Sequence, residues 1–203
     1  APLGVETHLV RPRLVAGEKA RRRRERILEA AGAQEGQYAC VHFEDDNRGK
    51  IWPAERMAEL CRRLAARRVP VFLLGSRRGW RRWEELTGGV EGCHPLFQLL
   101  QAAEMTAMLE KARLFVGCDS GPAHLAQGVQ CPSILLFGMT EPLRWGPIPQ
   151  LHGEEQDPPV TVLSAAPGDW LLEEMRGLPH NQGMHFLGTE EVWKLIESYL
   201  DRE

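Results

Sequence analysis

The sequence predicts a doubly wound α/β fold built on a parallel sheet, and three of its features point to it. Short apolar runs typical of buried strands alternate along the chain with longer segments of helical composition. These runs are nearly continuous in hydrophobicity, as expected for parallel strands covered on both faces. Residues 114–138 combine both signals in the order strand, tight turn, helix, strand. Right-handed crossovers between such strands give a Rossmann-like domain.

Five apolar runs are predicted as strands. In chain order they cover residues 38–43, 69–74, 114–117, 133–137 and 160–164. Residues 94–100 give no clear pattern. Residues 139–159 hold five prolines and are predicted as a long loop. Residues 1–16 are predicted as extended, because Pro2 and Pro12 oppose a helix.

Six segments are predicted as helices, and a seventh is a candidate. They cover residues 18–31, 53–66, 80–86, 102–111, 123–127 and 189–199, with 168–175 as the candidate. The second segment is amphipathic, since Met57, Leu60, Cys61 and Leu64 fall on one helical face. Thr189 is the predicted cap of the last helix.

Composition and charge exclude several classes of protein. The 203 residues form one large domain or two small ones, and a hydrophobic content of 43% is enough for a packed core. A net charge of −3 is unlike that of a nucleic-acid-binding protein. No apolar run approaches the ~18 residues of a membrane helix, and no secretory signal is visible. The five cysteines show neither C-x-x-C nor metal-ligand spacing, which predicts reduced core thiols in a cytosolic protein.

The turn after the third predicted strand is a candidate phosphate site. Asp119, Ser120 and Gly121 turn the chain, and Pro122 suits the first helical position. A helix that begins beyond the carboxyl end of a parallel strand presents free backbone N–H groups and a positive dipole end. Ser120 adds a hydroxyl donor, and Gly121 lets a ligand approach the backbone closely. The loop 44–50 follows the first strand at the same edge, so the two segments are expected to converge on one crevice.

Three blocks of the sequence resemble one enzyme family. Residues 119–126 are DSGPAHLA, and the following strand ends in F-G-x-T-x-P at residues 137–142. Residues 50–53 form the block K-x-W-P, and residues 71–75 are VFLLG. Together these blocks resemble the carboxyl-terminal domain of glycosyltransferase family 9, the ADP-heptose:lipopolysaccharide heptosyltransferases and their relatives. The resemblance runs from about residue 12 to residue 200.

The resemblance implies one half of a GT-B fold, in which two Rossmann-like domains face a cleft. Residues 1–36 would be a linker and basic helix, and residues 37–203 the domain that binds the nucleotide-sugar donor. The family's acceptor domain and its carboxylate base would belong to an amino-terminal half, either removed or supplied by a second chain. No catalytic base is therefore assigned here, and no metal.

The implied reaction transfers heptose or a related sugar from a nucleoside diphosphate, expected to be ADP, to a lipopolysaccharide-type glycolipid or saccharide acceptor. The nucleotide sugar is the substrate, and no cofactor is implied. The expected location is the cytoplasm, with contact to the inner membrane as an option.

Four of the expected donor contacts follow from the family's motifs. The lysine of K-x-W-P is Lys50, which would neutralise the diphosphate. Ser120 and Gly121 resemble the family's phosphate-contacting pair. Thr140 lies in the loop after the strand that carries Phe137, and by resemblance this loop is near the donor.

Asp119 and His124 complete the predicted donor site, and their roles stay open. The Asp119 carboxylate would accept hydrogen bonds from the donor's sugar hydroxyls or cap the following helix. His124, about one helical turn further, would hold that carboxylate in place or contact the ligand. A purely structural histidine is an equal alternative.

The first loop departs from the family pattern. Glu44, Asp45 and Asp46 stand where the family offers small or hydroxyl residues, and three acids there would repel a diphosphate unless they point away or bind a cation. With His42 they form H-x-E-D-D, a conceivable site for a hard cation; a solvated acidic loop is the plainer interpretation. After Gly75 the family often has an acidic residue for the ribose, which residues 76–79 (SRRG) lack.

The amino-terminal region has a net positive charge, although the whole chain is acidic. Residues 1–26 hold eight Lys or Arg and three acidic residues. Arg21, Arg22, Arg23 and Arg24 span nearly a full helical turn, so they cannot form a single stripe. They are either a solvated helix surface or a contact for anionic lipid, the acceptor or an acidic partner.

Two other functions are weighed against the transferase. In the first, the fold persists as a non-catalytic scaffold or partner subunit whose donor site has drifted, as the acidic loop suggests. In the second, the chain is a dinucleotide-dependent oxidoreductase; the absence of G-x-G-x-x-G after the first strand opposes it.

Overall fold

The computed structural model describes residues 13–44, 50–138, 140, 142–147, 160–165 and 182–201. Within them, six parallel strands form one sheet in the order β3-β2-β1-β4-β5-β6. The strands are β1 (Ala39–His42), β2 (Val71–Leu74), β3 (Cys93–Pro95), β4 (Leu114–Cys118), β5 (Ser133–Phe137) and β6 (Val160–Ser164). The strand order reverses between β1 and β4, which makes the carboxyl ends of these two strands the switch point where ligands bind in such sheets.

Helices cover both faces of the sheet. They are α1 (Glu18–Ala31), α2 (Ala54–Ala66), α3 (Arg77–Thr87), α4 (Ala102–Glu110), α5 (Gly121–Gly128), α6 (Pro142–Trp145), α7 (Gln182–His185) and α8 (Thr189–Leu200). The apolar cluster on one face takes its helical residues mainly from α2, α3 and α8. The cluster on the other face takes them from α1, α4 and α5. The predicted doubly wound, Rossmann-like α/β fold, the kind that forms half of a GT-B enzyme, is confirmed.

Several elements differ from the sequence predictions. Strand β3 was not predicted, because it has three residues, contains Pro95 and is only partly buried at the sheet edge. Helix α3 begins three residues earlier than predicted, since the Ser76 hydroxyl accepts hydrogen bonds from the N–H groups of Arg78 and Gly79. Thr189 is not the cap of α8, because Gly188 occupies that position.

Other differences concern the last third of the chain. The short helices α6 and α7 were not predicted, and α6 interrupts the expected loop 139–159. The candidate helix 168–175 lies outside the described residues.

All five cysteines are unpaired thiols, and four of them are buried. Burial raises the pKa of Cys118 to about 12, so this thiol stays protonated at neutral pH. The predicted core position is confirmed for the four buried cysteines, whereas Cys93 is only partly buried. No helix in the described ranges is long and apolar enough to cross a bilayer.

The arginine run of α1 is divided between two environments. Arg21 and Arg24 face α4, where their guanidinium groups lie 2.9 and 3.3 Å from the two carboxylate oxygens of Glu110. Arg24 is only 4% exposed and also pairs with Glu35. A buried guanidinium needs such partners, because desolvation of an unpaired charge is costly. The expectation of a uniformly solvated run is therefore wrong for Arg24, and a contact with anionic lipid through Arg21 and Arg24 would compete with these ion pairs.

Two glycines allow α3 to begin directly against the end of β1. A Cβ atom at Gly75 would lie 2.1 Å from the Phe43 carbonyl oxygen, and one at Gly79 would lie 2.5 Å from the same atom. These distances are too short for any real contact with backbone, so α3 could not take its position with a larger residue. Gly75 and Gly79 thus fix the geometry of the loop that leaves β1.

We expect Gly79→Ala to destabilise the fold by roughly 1–3 kcal/mol, because the added methyl group meets an immobile carbonyl. In most helix interiors the same change stabilises by up to about 1 kcal/mol, so the sign is diagnostic. Urea unfolding measures the difference. Gly17→Ser is the control, since Gly17 caps α1 and has open space around it. A Gly79→Ala variant as stable as the parent would contradict the close approach.

Candidate functional site

The candidate site lies at the carboxyl ends of β1, β4 and β5. Asp119 and Ser120 directly follow β4, and Thr140 follows β5 by three residues. Lys50 returns to this edge just before α2. The sheet therefore collects segments that are up to 90 residues apart in sequence.

Lys50 and Asp119 are in direct contact. The Lys50 Nζ atom lies 3.1 Å from Asp119 Oδ2, and the aspartate side chain is 5% exposed while the lysine is 45% exposed. The ammonium group has three donors, so further acceptors can bind it from the solvent side. A partly exposed pair of this kind contributes little stability, at most about 1 kcal/mol. Its main effect is to hold a positive charge above the β4–α5 turn.

Trp52 fixes the segment that carries Lys50. Its backbone N–H donates to Cys118 Sγ at 3.3 Å, and its indole Nε1–H donates to the Leu187 carbonyl at 3.0 Å. The side chain is 1% exposed. The block K-x-W-P is thereby attached both to the end of β4 and to the chain between α7 and α8. This explains physically why a tryptophan follows the lysine at this spacing.

Ser120 and Gly121 form the amino end of α5. The Ser120 hydroxyl is the cap and accepts from the N–H of Ala123 at 3.4 Å. A Cβ atom at Gly121 would meet nothing within 4 Å, so the space in front of this helix end is open. Backbone N–H groups and the positive end of the helix dipole face that space, an arrangement that attracts anions. Pro122 is the second helical residue, one position later than the sequence suggested.

Asp119 does not cap α5, because Ser120 does. Its carboxylate instead contacts Lys50 and lies 3.8 Å from the Nε2 atom of His124. His124 is half-exposed on the first turn of α5. Of the two roles predicted for Asp119, capping is excluded, and acceptance of hydrogen bonds from a ligand remains a prediction.

A second helix begins at this edge, but its amino end is already occupied. The Glu44 carboxylate accepts hydrogen bonds from the Ser76 N–H at 3.0 Å and from the Ser76 hydroxyl at 2.7 Å. An internal anion therefore contacts the start of α3. Among the described residues, by contrast, the first N–H groups of α5 are capped by a neutral hydroxyl, and the adjacent Asp119 carboxylate is turned to Lys50. Glu44 points toward α3, and the other two acids of the run, Asp45 and Asp46, lie outside the described residues. Among the described residues no three His, Cys, Asp or Glu side chains are grouped to hold a metal ion.

Two buried polar atoms at this edge lack partners. In the described part of the chain, four buried side-chain atoms make no hydrogen bond: Arg24 Nε, His42 Nδ1, Trp83 Nε1 and Thr140 Oγ1. His42 ends β1, and Thr140 lies beyond β5, so two of the four flank the β4–α5 turn. Buried polar groups without partners are rare and costly, and they commonly mark a site for a ligand or an ordered water.

His42 was considered at the sequence level only as part of H-x-E-D-D. The structure places it at the switch point, 9% exposed. Burial lowers its pKa to about 4, against a small opposing effect of Glu44, so the ring is neutral at pH 7. The sequence signal that could have marked His42 as a candidate site residue is its polar side chain at the end of an otherwise apolar strand.

The model of glycosyltransferase family 9 (heptosyltransferase) matches residues 2–153. The chain belongs to this family. The lipopolysaccharide heptosyltransferase 3 of Escherichia coli is 48% identical to this chain over 44 residues, which is 22% of the chain and 13% of that protein.

Two solved structures are similar in fold to nearly the whole of this chain. The glycosyltransferase family 9 structure from Veillonella parvula superposes with a TM-score of 0.78 at 18% identity, covering 94% of this chain and 54% of the other. The ADP-heptose lipopolysaccharide heptosyltransferase II of E. coli gives a TM-score of 0.70 at 18% identity, covering 97% and 55%. The chain thus spans about half the length of these structures and less of the curated relative.

The buried His42 should make stability depend on pH. Its folded pKa lies below the ordinary value of 6.5, so the unfolded chain binds this proton first as the pH falls. Stability is therefore lost between about pH 6.5 and pH 4, by ~3 kcal/mol from this group. Chemical unfolding of the parent and of His42→Asn at pH 7 and pH 4 measures it. Equal losses in both proteins would show that His42 titrates normally in the fold.

Proposed function

We propose that this chain is the donor-binding part of a glycosyltransferase that moves heptose or a related sugar from a nucleoside diphosphate to a lipopolysaccharide-type acceptor. The observation that carries the proposal is the convergence of Lys50 with the open amino end of α5, held by the contact of 3.1 Å to Asp119. A fixed cation beside a helix amino end is suited to a diphosphate.

Each residue of the site has a role in this proposal. Lys50 and the N–H groups at the start of α5 bind the diphosphate, with the Ser120 hydroxyl beside them. As the bond to the sugar breaks, negative charge develops on the departing nucleoside diphosphate, and these groups stabilise it. Asp119 and Thr140 offer an acceptor and a hydroxyl to the sugar. His124 holds the Asp119 carboxylate from the other side.

The rest of the reaction belongs to residues beyond this site. An acceptor hydroxyl must lose its proton to a base as it attacks the sugar. We propose that an amino-terminal acceptor domain, or a second chain, supplies the base and binds the acceptor. The family membership and the partial coverage of the solved relatives support this. The same family context supports a cytoplasmic enzyme that reaches its glycolipid acceptor at the inner membrane.

ADP is the proposed nucleotide. Its support is the solved relative described as an ADP-heptose heptosyltransferase, which shares the fold of this chain. The ribose contact is the less regular part of the site, because residues 76–79 carry no acid. The Glu44 carboxylate lies at Ser76 instead.

A non-catalytic scaffold is the second candidate, and that irregular ribose position favours it. A drifted donor site would keep the fold while losing affinity for the nucleotide. The open amino end of α5 and the placement of Lys50 favour the donor site over this alternative, since a scaffold needs neither.

Calorimetric titration with ADP, UDP and GDP, with and without magnesium, separates the two candidates. Saturable binding of one nucleotide supports the donor site and identifies the donor class. A requirement for magnesium would bring the acidic loop into the site. Absence of binding at millimolar concentrations would favour the scaffold.

Lys50→Ala should weaken nucleotide binding at least tenfold, because it removes a charge-assisted contact worth ~1.5–3 kcal/mol. Lys111→Ala is the matched control, since Lys111 is similarly exposed and also pairs with a carboxylate, that of Glu35. Calorimetry with ADP compares both variants with the parent. Equal affinity of parent and Lys50→Ala would remove this lysine from the site.

Gly121→Val should abolish nucleotide binding and leave the fold intact. The added side chain meets no protein atom nearby but fills the space in front of α5. Gly188→Val is the control, because Gly188 lies at the start of α8 with similarly open surroundings. Thermal unfolding verifies folding of both variants, and calorimetry measures binding. A Gly121→Val protein with full affinity would contradict a phosphate site at α5.

A further inference from the structure

We propose that the imidazole of His42 forms a hydrogen bond with the diphosphate of the bound donor. This inference rests on the proposed donor site. His42 lies outside the sequence motifs that supply the other proposed donor contacts. Four observations carry it: the position of His42 in the sheet, its unpaired nitrogen, the matching atom at Thr140 and the charge state of the ring.

The sheet places His42 beside the β4–α5 turn. Val41 is in register with Val116, so His42 lies next to Gly117 on the neighbouring strand. A Cβ atom at Gly117 would be 3.0 Å from the His42 Cβ, which shows how closely the two positions approach. Asp119 follows Gly117 by two residues, the spacing that returns a side chain to the same face of a strand. Cys40, two residues before His42, packs in the cluster that includes Ala123 of α5.

The Nδ1 atom of His42 is buried and, among the described residues, has no hydrogen-bond partner. A strand that ends in a phenylalanine or leucine would fill the same space without this loss of free energy. Thr140 Oγ1 shows the same property on the far side of β4. These two atoms belong to residues at the carboxyl ends of the strands on either side of β4, where a ligand bound at the start of α5 could give each of them a partner.

The neutral ring suits this role. Neutral imidazole has one N–H donor and one acceptor nitrogen, and the donor can bind a phosphate oxygen. Burial lowers the pKa of His42 to about 4, so the ring contributes a directed hydrogen bond at pH 7 and no added charge. The positive charge of the site then comes from Lys50, and His42 provides orientation.

Binding of ADP to three variants tests the proposal. Asparagine places an amide near the position of Nδ1, whereas leucine fills the space with no polar atom. His42→Leu should weaken ADP binding at least about tenfold, and His42→Asn should stay within a few-fold of the parent. His94→Leu is the control, because His94 lies on β3 and stacks on Phe72 away from the switch point. It should bind like the parent.

A measurement on the unmodified chain covers the case in which His42→Leu does not fold. With ¹⁵N labelling, the imidazole nitrogens of His42 should shift on saturation with ADP, while those of His94 should not. A role in packing alone predicts no such change.

The outcomes separate the two levels of the proposal. If the parent binds ADP but His42→Leu binds equally well, or the His42 nitrogens do not move, His42 is not a contact and the donor site stands. If the parent does not bind ADP, UDP or GDP, the donor site itself fails, and His42 fails with it.

Discussion

The parallel pairing of β1 with β4 is the constraint on which the site depends. These strands are separated by more than 70 residues in sequence, and their pairing reverses the direction in which the sheet is built. All the residues proposed to contact the donor lie at or near the carboxyl ends of these two strands or of the next strand, β5. Trp52 reinforces this pairing, because it attaches the segment after β1 to Cys118 at the end of β4. The position of Lys50 is therefore a consequence of packing in the centre of the domain.

The same edge holds two helix amino ends with different electrostatic states. Glu44 satisfies the start of α3 from within the chain, and the glycines at 75 and 79 allow it to come close enough to do so. At the start of α5, the side chain that accepts from a backbone N–H among the described residues is the Ser120 hydroxyl. An incoming anion would have to displace the Glu44 carboxylate at α3, whereas the carboxylate next to the start of α5, that of Asp119, is already paired with Lys50. This difference, which is independent of any relative, favours α5 as the phosphate position.

Much of the fold was predictable because its signals are local. Strand β5 and helix α1 have the predicted bounds, since continuous apolar runs and a terminal glycine mark them directly. Strand β3 was missed because pairing with β2, rather than its own short sequence, defines it. The motif lysine was recognised from the family resemblance, and the β4–α5 turn from its strand, turn and helix pattern. The sequence did not show that Arg21 and Arg24 are paired differently from their neighbours. It also did not show the direction of Glu44 or the burial of His42. Each of these features depends on a contact with a residue that is distant in sequence.

The contact between Lys50 and Asp119 makes the site nearly neutral in the absence of a ligand. Its attraction for a diphosphate therefore cannot come from net charge alone. Asp119 is almost fully buried and holds the ammonium group from below, which leaves the exposed side of Lys50 to the ligand. The negative charge of Asp119 lowers the long-range attraction between Lys50 and a diphosphate. The same contact restricts the lysine side chain in advance, so less conformational entropy is lost when a ligand binds. The site combines an open helix end with a pre-positioned lysine and neutral polar side chains on either side. Together these groups would favour a ligand of defined shape over free phosphate. A transferase requires this, because it must hold its donor in one orientation.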